Sequence, residues 1–281
     1  MYQKKERGIT QMSKTMKVSV QAGKVGSTTH NSRNFDIEKS DKADHIDTSR
    51  SHLNKYLAYY PELKHDFKAV EKKFYKEELK DWIAYRNRKA KKERHPERKK
   101  TSEQLRTNKR TAPQETIYQI GDKDNAPTPK EFRQWMNEML KYHAQITKGY
   151  CTILDAAIHN DEATPHAHVR EVWTYKDFDE NGKEMLVIGK GRALELAGFP
   201  LPYPDKEPSK TNNRAITYTR MMREKGEQLA KEMGFDIDVT RSKRPHLEKD
   251  DYIAYAQEKE FKEFLADKQR RQLEEIGKNM F

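Results

Sequence analysis

A single cysteine, Cys151, in 281 residues excludes an intramolecular disulfide, and without a CxxC pair the chain is no zinc finger. Its surroundings (YCTILDAAI, 150–158) are apolar and β-branched, so the thiol reads as inert packing in a reducing compartment. No apolar run approaches the ~20 residues of a membrane helix. The first residues, MYQKKERGITQMSK, lack the apolar stretch of a signal peptide. Together these absences point to the cytoplasm. Apolar residues are also scarce: 34%, or about 38% with the 12 glycines added, against the usual ~45–50%. Charge fills the difference. Charged residues reach 36%, and 56 Lys+Arg against 45 Asp+Glu leave a net charge of +11. That balance favours polyanionic partners, nucleic acid ahead of an anionic membrane.

The length suits one large domain with an appendage, and no internal repeat is visible. Residues 1–14 read as disordered, 15–245 as the main domain and 246–281 as a C-terminal helical extension. Alternation predicts strands over 15–22, 115–121 and 150–158, a returning strand over 166–175, and a short one at MLVI (185–188). Helical spacing covers Pro61 to about Arg94, Pro129 to Thr147, Arg214 to Met233, and a charged stretch from Glu248 to Gly277. Residues 30–60 are polar and motif-rich, and Phe199–Pro208 is a proline-rich loop. The fold class is therefore α+β, a mostly antiparallel central sheet with helices packed on it. The most basic run, 86–110, reads either as a solvated helix face and linker or as a phosphate-contacting arm.

The segment HNDEATPHAH (159–168) concentrates the chemistry. Asn160–Pro165 is turn-forming, so the flanking strands make a hairpin. His166 and His168 then share a face by the two-residue strand period, and His159 ends the partner strand opposite them. Three imidazoles converging in this way suit a divalent transition metal and leave coordination positions open for catalysis. Asp161 and Glu162 stand ready as a fourth ligand or as partners of the ligands. Upstream lie His30-Asn31-Ser32-Arg33 and Arg50-Ser51-His52-Leu53-Asn54.

HNSR, then SRSHLN (49–54), then HNDEATPHAH resemble the Pre/Mob plasmid mobilisation and recombination relaxases, the MobV family of HUH-type endonucleases. The likeness covers about 15–60 and 115–175. It implies a relaxase-like fold and site-specific nicking and rejoining of single-stranded DNA at a transfer-origin hairpin. It further implies that His30 attacks the scissile phosphate to give a 5′-phosphohistidine, while His159, His166 and His168 hold Mn²⁺ or Mg²⁺. By the same carry-over Arg33 binds phosphate or orients His30, and Glu162 supports or joins the ligands. Glu115 orients or deprotonates His30. Asn31, Arg50, Ser51, Asn54, Arg106 and Arg110 contact DNA. Tyr56 stands where the family commonly has an acid, which leaves it as a rival nucleophile. No small-molecule cofactor is expected, and the C-terminal helix is a candidate homodimer contact. The competing expectations are a hydrolase that uses the same metal and water, a rolling-circle replication initiator, and a DNA-binding repressor with a structural metal.

Overall fold

A six-stranded antiparallel sheet organises the computed structural model, which describes residues 15–23, 26–37, 39–40 and 45–240. The strands are β1 (Val18–Gly23), β2 (Lys55–Ala58), β3 (Gln114–Ile120), β4 (Cys151–His159), β5 (His166–Phe178) and β6 (Glu184–Ile188). Their order is β1-β3-β5-β4-β2, with β6 paired to the far end of β5. The expected disordered stretch 1–14 and helix 248–277, with its dimer contact, lie outside the described residues. Among those described, no helix is long and apolar enough to cross a membrane.

Among the described residues seven α-helices accompany the sheet: α1 (Thr28–Ser32), α2 (Phe67–Glu77), α3 (Lys80–Lys92), α4 (Ser102–Arg106), α5 (Pro129–Thr147), α6 (Lys190–Ala197) and α7 (Arg214–Glu232). Helix α5 occupies the span its apolar stripe predicts. Thr128 and Glu131 close a reciprocal capping box at its start, with Pro129 in the first turn. Its buried face, Phe132, Trp135, Met136 and Met139, packs with Tyr218 and Met222 of α7 under Val18, Val20, Tyr118 and Ile120. This is the larger core. A smaller one lies on the opposite face, where Val70, Phe74, Tyr75, Leu79 and Leu105 meet Leu154 and Val172.

Three expectations need correction. The single helix over 61–94 is instead a 3-10 turn (Pro61–Leu63) followed by α2 and α3. From Phe74 to Leu79 is five residues, about 500° of rotation at ~100° each, which would aim Leu79 away from the core that holds Phe74. A break at Glu78–Leu79 restores its burial. Strand β2 was hidden in the polar stretch 30–60, because four residues carry too little alternation to show a period. Helix α6 fills the interval before the proline-rich loop, bounded by Gly189 and by Gly198, whose φ of 92° ends it in the left-handed region.

Register decides which side chains meet. His159 pairs directly with His166, and Ala157 with His168 and with Tyr56, so all of these point to one face. Glu115 of β3 pairs with Arg170, two residues beyond His168, and belongs to the same face. A one-residue slip would turn the whole set into the α5 core. Helices α2–α4 cover one end of this face and the histidines stand at the other.

Candidate metal centre and its nucleophile

The three histidines of the hairpin converge. Their ring centroids lie 5.3 Å (159–166), 5.1 Å (159–168) and 4.9 Å (166–168) apart, and one ring nitrogen of each falls within 4.8 Å of the others. Hydrogen bonding says which nitrogens these are. His159 donates Nε2–H to the Asn31 carbonyl at 2.9 Å, His166 donates Nδ1–H to the Thr164 carbonyl at 2.9 Å, and His168 donates Nδ1–H to Glu115 Oε1 at 2.7 Å. Each imidazole thus spends its N–H on a protein acceptor and keeps a lone pair on the other nitrogen. His159 Nδ1 and His168 Nε2 are sealed from solvent without any hydrogen-bond partner. This is the way metal-ligating histidines are held, and the donor set fits a divalent transition metal.

Electrostatics agree with that reading. Burial pushes the His159 imidazole below its ordinary range, and burial with the neighbouring His168 pushes His166 down to about 4. Both rings are neutral near pH 7, as ligands must be. Glu162 lies among them, with Oε1 3.5 Å from His159 Nδ1 and Oε2 3.8 Å from His166 Nε2. Burial alone would raise its carboxyl. The imidazoles of His159, His30 and His166 around it and the Arg33 guanidinium bonded to it outweigh this and hold it well below the carboxylate range. It is ionised and within reach as a fourth ligand.

His30 comes from a different part of the chain to the same place. The Ser27 hydroxyl caps α1 by accepting from the His30 amide, and the helix carries the ring to 5.7 Å from His159 and 6.4 Å from His168. Its Nε2 is 3.4 Å from Glu162 Oε1, and the side chain keeps 30% of its surface open to solvent. Arg33 ends α1 at a φ of 53°, a left-handed conformation that a non-glycine residue adopts only when held. Its guanidinium reaches Asp161 through two bonds, Glu162 through one at 2.7 Å, and His30 Nε2 at 3.2 Å. A guanidinium only donates, so His30 carries its proton on Nδ1 and its lone pair on Nε2, facing the site.

The other expected site residues differ in burial and in partners. Glu115 is not hydrogen-bonded to His30: it accepts from His168 Nδ1, from Asn31 Nδ2 (3.0 Å) and from the Gly26 amide (2.8 Å), and so fixes the His168 ring. Asn31 and Asn54, expected at the DNA, are buried. Asn31 bridges Glu115 and His159, while Asn54 donates to Asp161 at 2.6 Å and accepts from the Asn160 amide at 2.7 Å. Ser51 also donates to Asp161, at 2.9 Å. With Arg33, Asn54 and Ser51 all upon it, Asp161 is a hub that accepts four hydrogen bonds from the protein. Arg106 is occupied by Glu71 (2.7 Å) and Glu103, whereas Arg110 is exposed and Arg50 is half-buried. Tyr56 is half-buried beside Asn54, 3.4 Å from phenol oxygen to Nδ2, and burial raises its hydroxyl above the usual range.

Sequence reasoning missed two features. His45, whose ring lies nearly parallel to that of His30 at 5.6 Å, comes from a stretch with no motif. The buried Arg170 binds Asp155 twice, Glu71 at 2.8 Å and the Phe67 carbonyl at 3.0 Å, tying α2 to the sheet behind the histidines. An arginine continuing the His166–His168 alternation into an apolar strand was the available signal.

Residues 70–187 match the family model described as plasmid recombination enzyme, Mob_Pre. The match covers the histidine hairpin but stops short of His30. It agrees with the family the motifs resemble. Among solved structures, the chain is similar to the MobM relaxase domain (MOBV; Mob_Pre) bound to plasmid pMV158 oriT DNA, in Mn-bound crystals. One structure, with 22-nucleotide DNA and a 3′-thiophosphate at pH 6.8, aligns at 18% identity and a TM-score of 0.45, over 86% of this chain and 98% of that one. Another, with 22-nucleotide DNA at pH 5.5, aligns at 19% identity and a TM-score of 0.46, over 86% and 99%. No curated protein matches the chain.

Proposed function

We infer that this chain, which carries the plasmid recombination enzyme model over residues 70–187, is a relaxase that nicks and rejoins one DNA strand at the transfer origin of a mobile element. The observation that carries this reading is the set of three unspent ring nitrogens, with the His30 lone pair aimed into the same pocket. His159 Nδ1, His166 Nε2 and His168 Nε2 would hold the ion, with Glu162 completing the set. Three imidazoles favour manganese over magnesium, which prefers oxygen. Bound there, the ion supplies positive charge to a non-bridging phosphate oxygen as negative charge builds in the transition state.

The protein's own residues then have distinct tasks. His30 Nε2 forms a bond to phosphorus, the bond from phosphorus to the 3′ oxygen breaks, and that oxygen takes a proton from solvent to leave as a hydroxyl. Arg33 exchanges its bond on Nε2 for one on the phosphate, a task for a planar donor-only group. The phosphoramidate retains the energy of the broken ester, so attack by a 3′-hydroxyl reverses the step without ATP. Tyr56 is the poorer nucleophile because burial keeps its phenol protonated. The excess of Lys and Arg supplies the attraction for DNA phosphates.

A suicide-oligonucleotide assay tests this reading. Single-stranded DNA spanning the transfer origin of the chain's own element, with Mn²⁺, should give a covalent protein–DNA adduct. His30→Ala should abolish the adduct and leave non-covalent binding intact, and Tyr56→Phe should still form it. Strand cleavage without any adduct would assign water as nucleophile and overturn the covalent route. An adduct lost only in Tyr56→Phe would move the attack to the phenol.

A further inference from the structure

A second cluster of ligand-type side chains lies on the sheet face turned away from the triad, inside the larger core. His143 of α5, Cys151 at the start of β4 and Glu171 of β5 each bring one ligand atom within 4.8 Å of the others. They are 2%, 9% and 1% exposed. Register makes two of them neighbours: Cys151 pairs with Trp173 and Glu171 with Ile153, which sets Cys151 and Glu171 diagonally on one face. The third arrives on the buried stripe of α5.

His143 gives the independent sign. Its Nε2 is sealed from solvent with no hydrogen-bond partner. The nearby carboxylate oxygen, Glu171 Oε2, is 3.4 Å away. Glu171 is already oriented: Trp173 donates Nε1–H to Oε1 at 3.0 Å, which turns the other oxygen toward His143, and the Tyr218 hydroxyl lies 3.4 Å from Oε2. A ligand fixed by an outer hydrogen bond is how metal sites are built.

We propose that His143, Cys151 and Glu171 form a second, closed metal site that takes a zinc-class ion and pins α5 to the sheet. Nitrogen, sulfur and carboxylate oxygen together suit zinc, whereas calcium and magnesium require all-oxygen sets. On binding, the thiol gives its proton to solvent and ligates as thiolate, the metal's charge replacing the proton's. All three side chains are buried, which makes the site structural. It stands apart from the nicking reading, since none of its residues touches the triad.

Because the site is sealed, the ion must be present as the chain folds. The experiment therefore expresses the full chain in cobalt-supplemented minimal medium and records absorption and metal content. A thiolate-to-cobalt charge-transfer band is expected in the wild-type protein and in His166→Ala, whose triad is broken. Cys151→Ala should lose the band and about one equivalent of cobalt. The wild-type spectrum decides even if that variant fails to fold, because the chain has no other cysteine. Folded wild-type protein that shows cobalt without the thiolate band, or no cobalt at all, overturns the proposal and leaves a hydrogen-bonded cluster around Glu171.

Discussion

Arg33 grips Asp161 through two hydrogen bonds, Nη2 to Oδ1 at 2.7 Å and Nε to Oδ2 at 3.1 Å, with the Asp161 side chain fully buried. This pair fastens the helix that carries His30 to the turn that carries Glu162. It is the joint between the His30 helix and the histidine hairpin. Asp161→Ala takes two bonds from a mostly buried guanidinium, leaves Glu162 as its carboxylate partner and strips Ser51 and Asn54 of their acceptor, a loss of about 3–5 kcal/mol. For a domain of this size that lowers Tm by on the order of 10 °C. Thermal unfolding should show the drop, and adduct formation should fall further than unfolding explains, because His30 loses its orientation.

Glu115 acts through His168, so its substitution should appear in metal binding before anything else. Glu115→Gln weakens the acceptor at His168 Nδ1 and disturbs the Asn31 and Gly26 bonds. Removing a ligand's outer partner typically costs about 10–100-fold in metal affinity. Titration with Mn²⁺ should show a shift of that size. If affinity stays unchanged while the pH dependence of adduct formation moves, Glu115 acts on His30 after all.

Arg106 and Arg110 separate by environment. Arg106 is enclosed by Glu71 and Glu103 and belongs to the network that includes Arg170. Arg106→Ala should lower Tm and leave the salt slope of DNA binding unaltered. Arg110 is exposed. Arg110→Ala should leave Tm in place and reduce the slope of log K against log salt by about 0.7, one single-strand phosphate contact. The reverse pattern would reassign the two.

Acid should destabilise the metal-free protein through His166. Its pKa falls from 6.5 in the unfolded chain to about 4 in the fold, so the unfolded state binds the proton more tightly. The stability it contributes is fully present above pH 6.5 and is lost as pH falls from 6.5 toward 4. The total is on the order of 3 kcal/mol. Urea unfolding of metal-free protein at pH 7 and pH 4.5 should show a larger decrease in wild type than in His166→Ala. Equal decreases would place the acid sensitivity elsewhere.

The hairpin was legible in the sequence because strand period and turn chemistry act locally: His159, His166 and His168 fall where the alternation puts them. Helix α5 was legible for the same reason, its cap and stripe both lying within one segment. Long-range partners were not. That Glu115 serves His168, that Asn54 and Ser51 serve Asp161, and that β2 completes the sheet edge all depend on register between strands far apart in sequence. The break at Glu78–Leu79 was open to inspection in the phase of the apolar residues, but a continuous charged face obscured it. Polar residues of the motifs read as DNA contacts, and two of them, Asn31 and Asn54, are buried and hydrogen-bonded to Glu115 and Asp161.

The most direct test is anomalous diffraction at the manganese edge from crystals of the full chain soaked in Mn²⁺. The account predicts one peak within bonding distance of His159 Nδ1, His166 Nε2 and His168 Nε2, with His30 Nε2 beside it and unligated. A peak ligated by His30 itself, or none between the three rings, would contradict it.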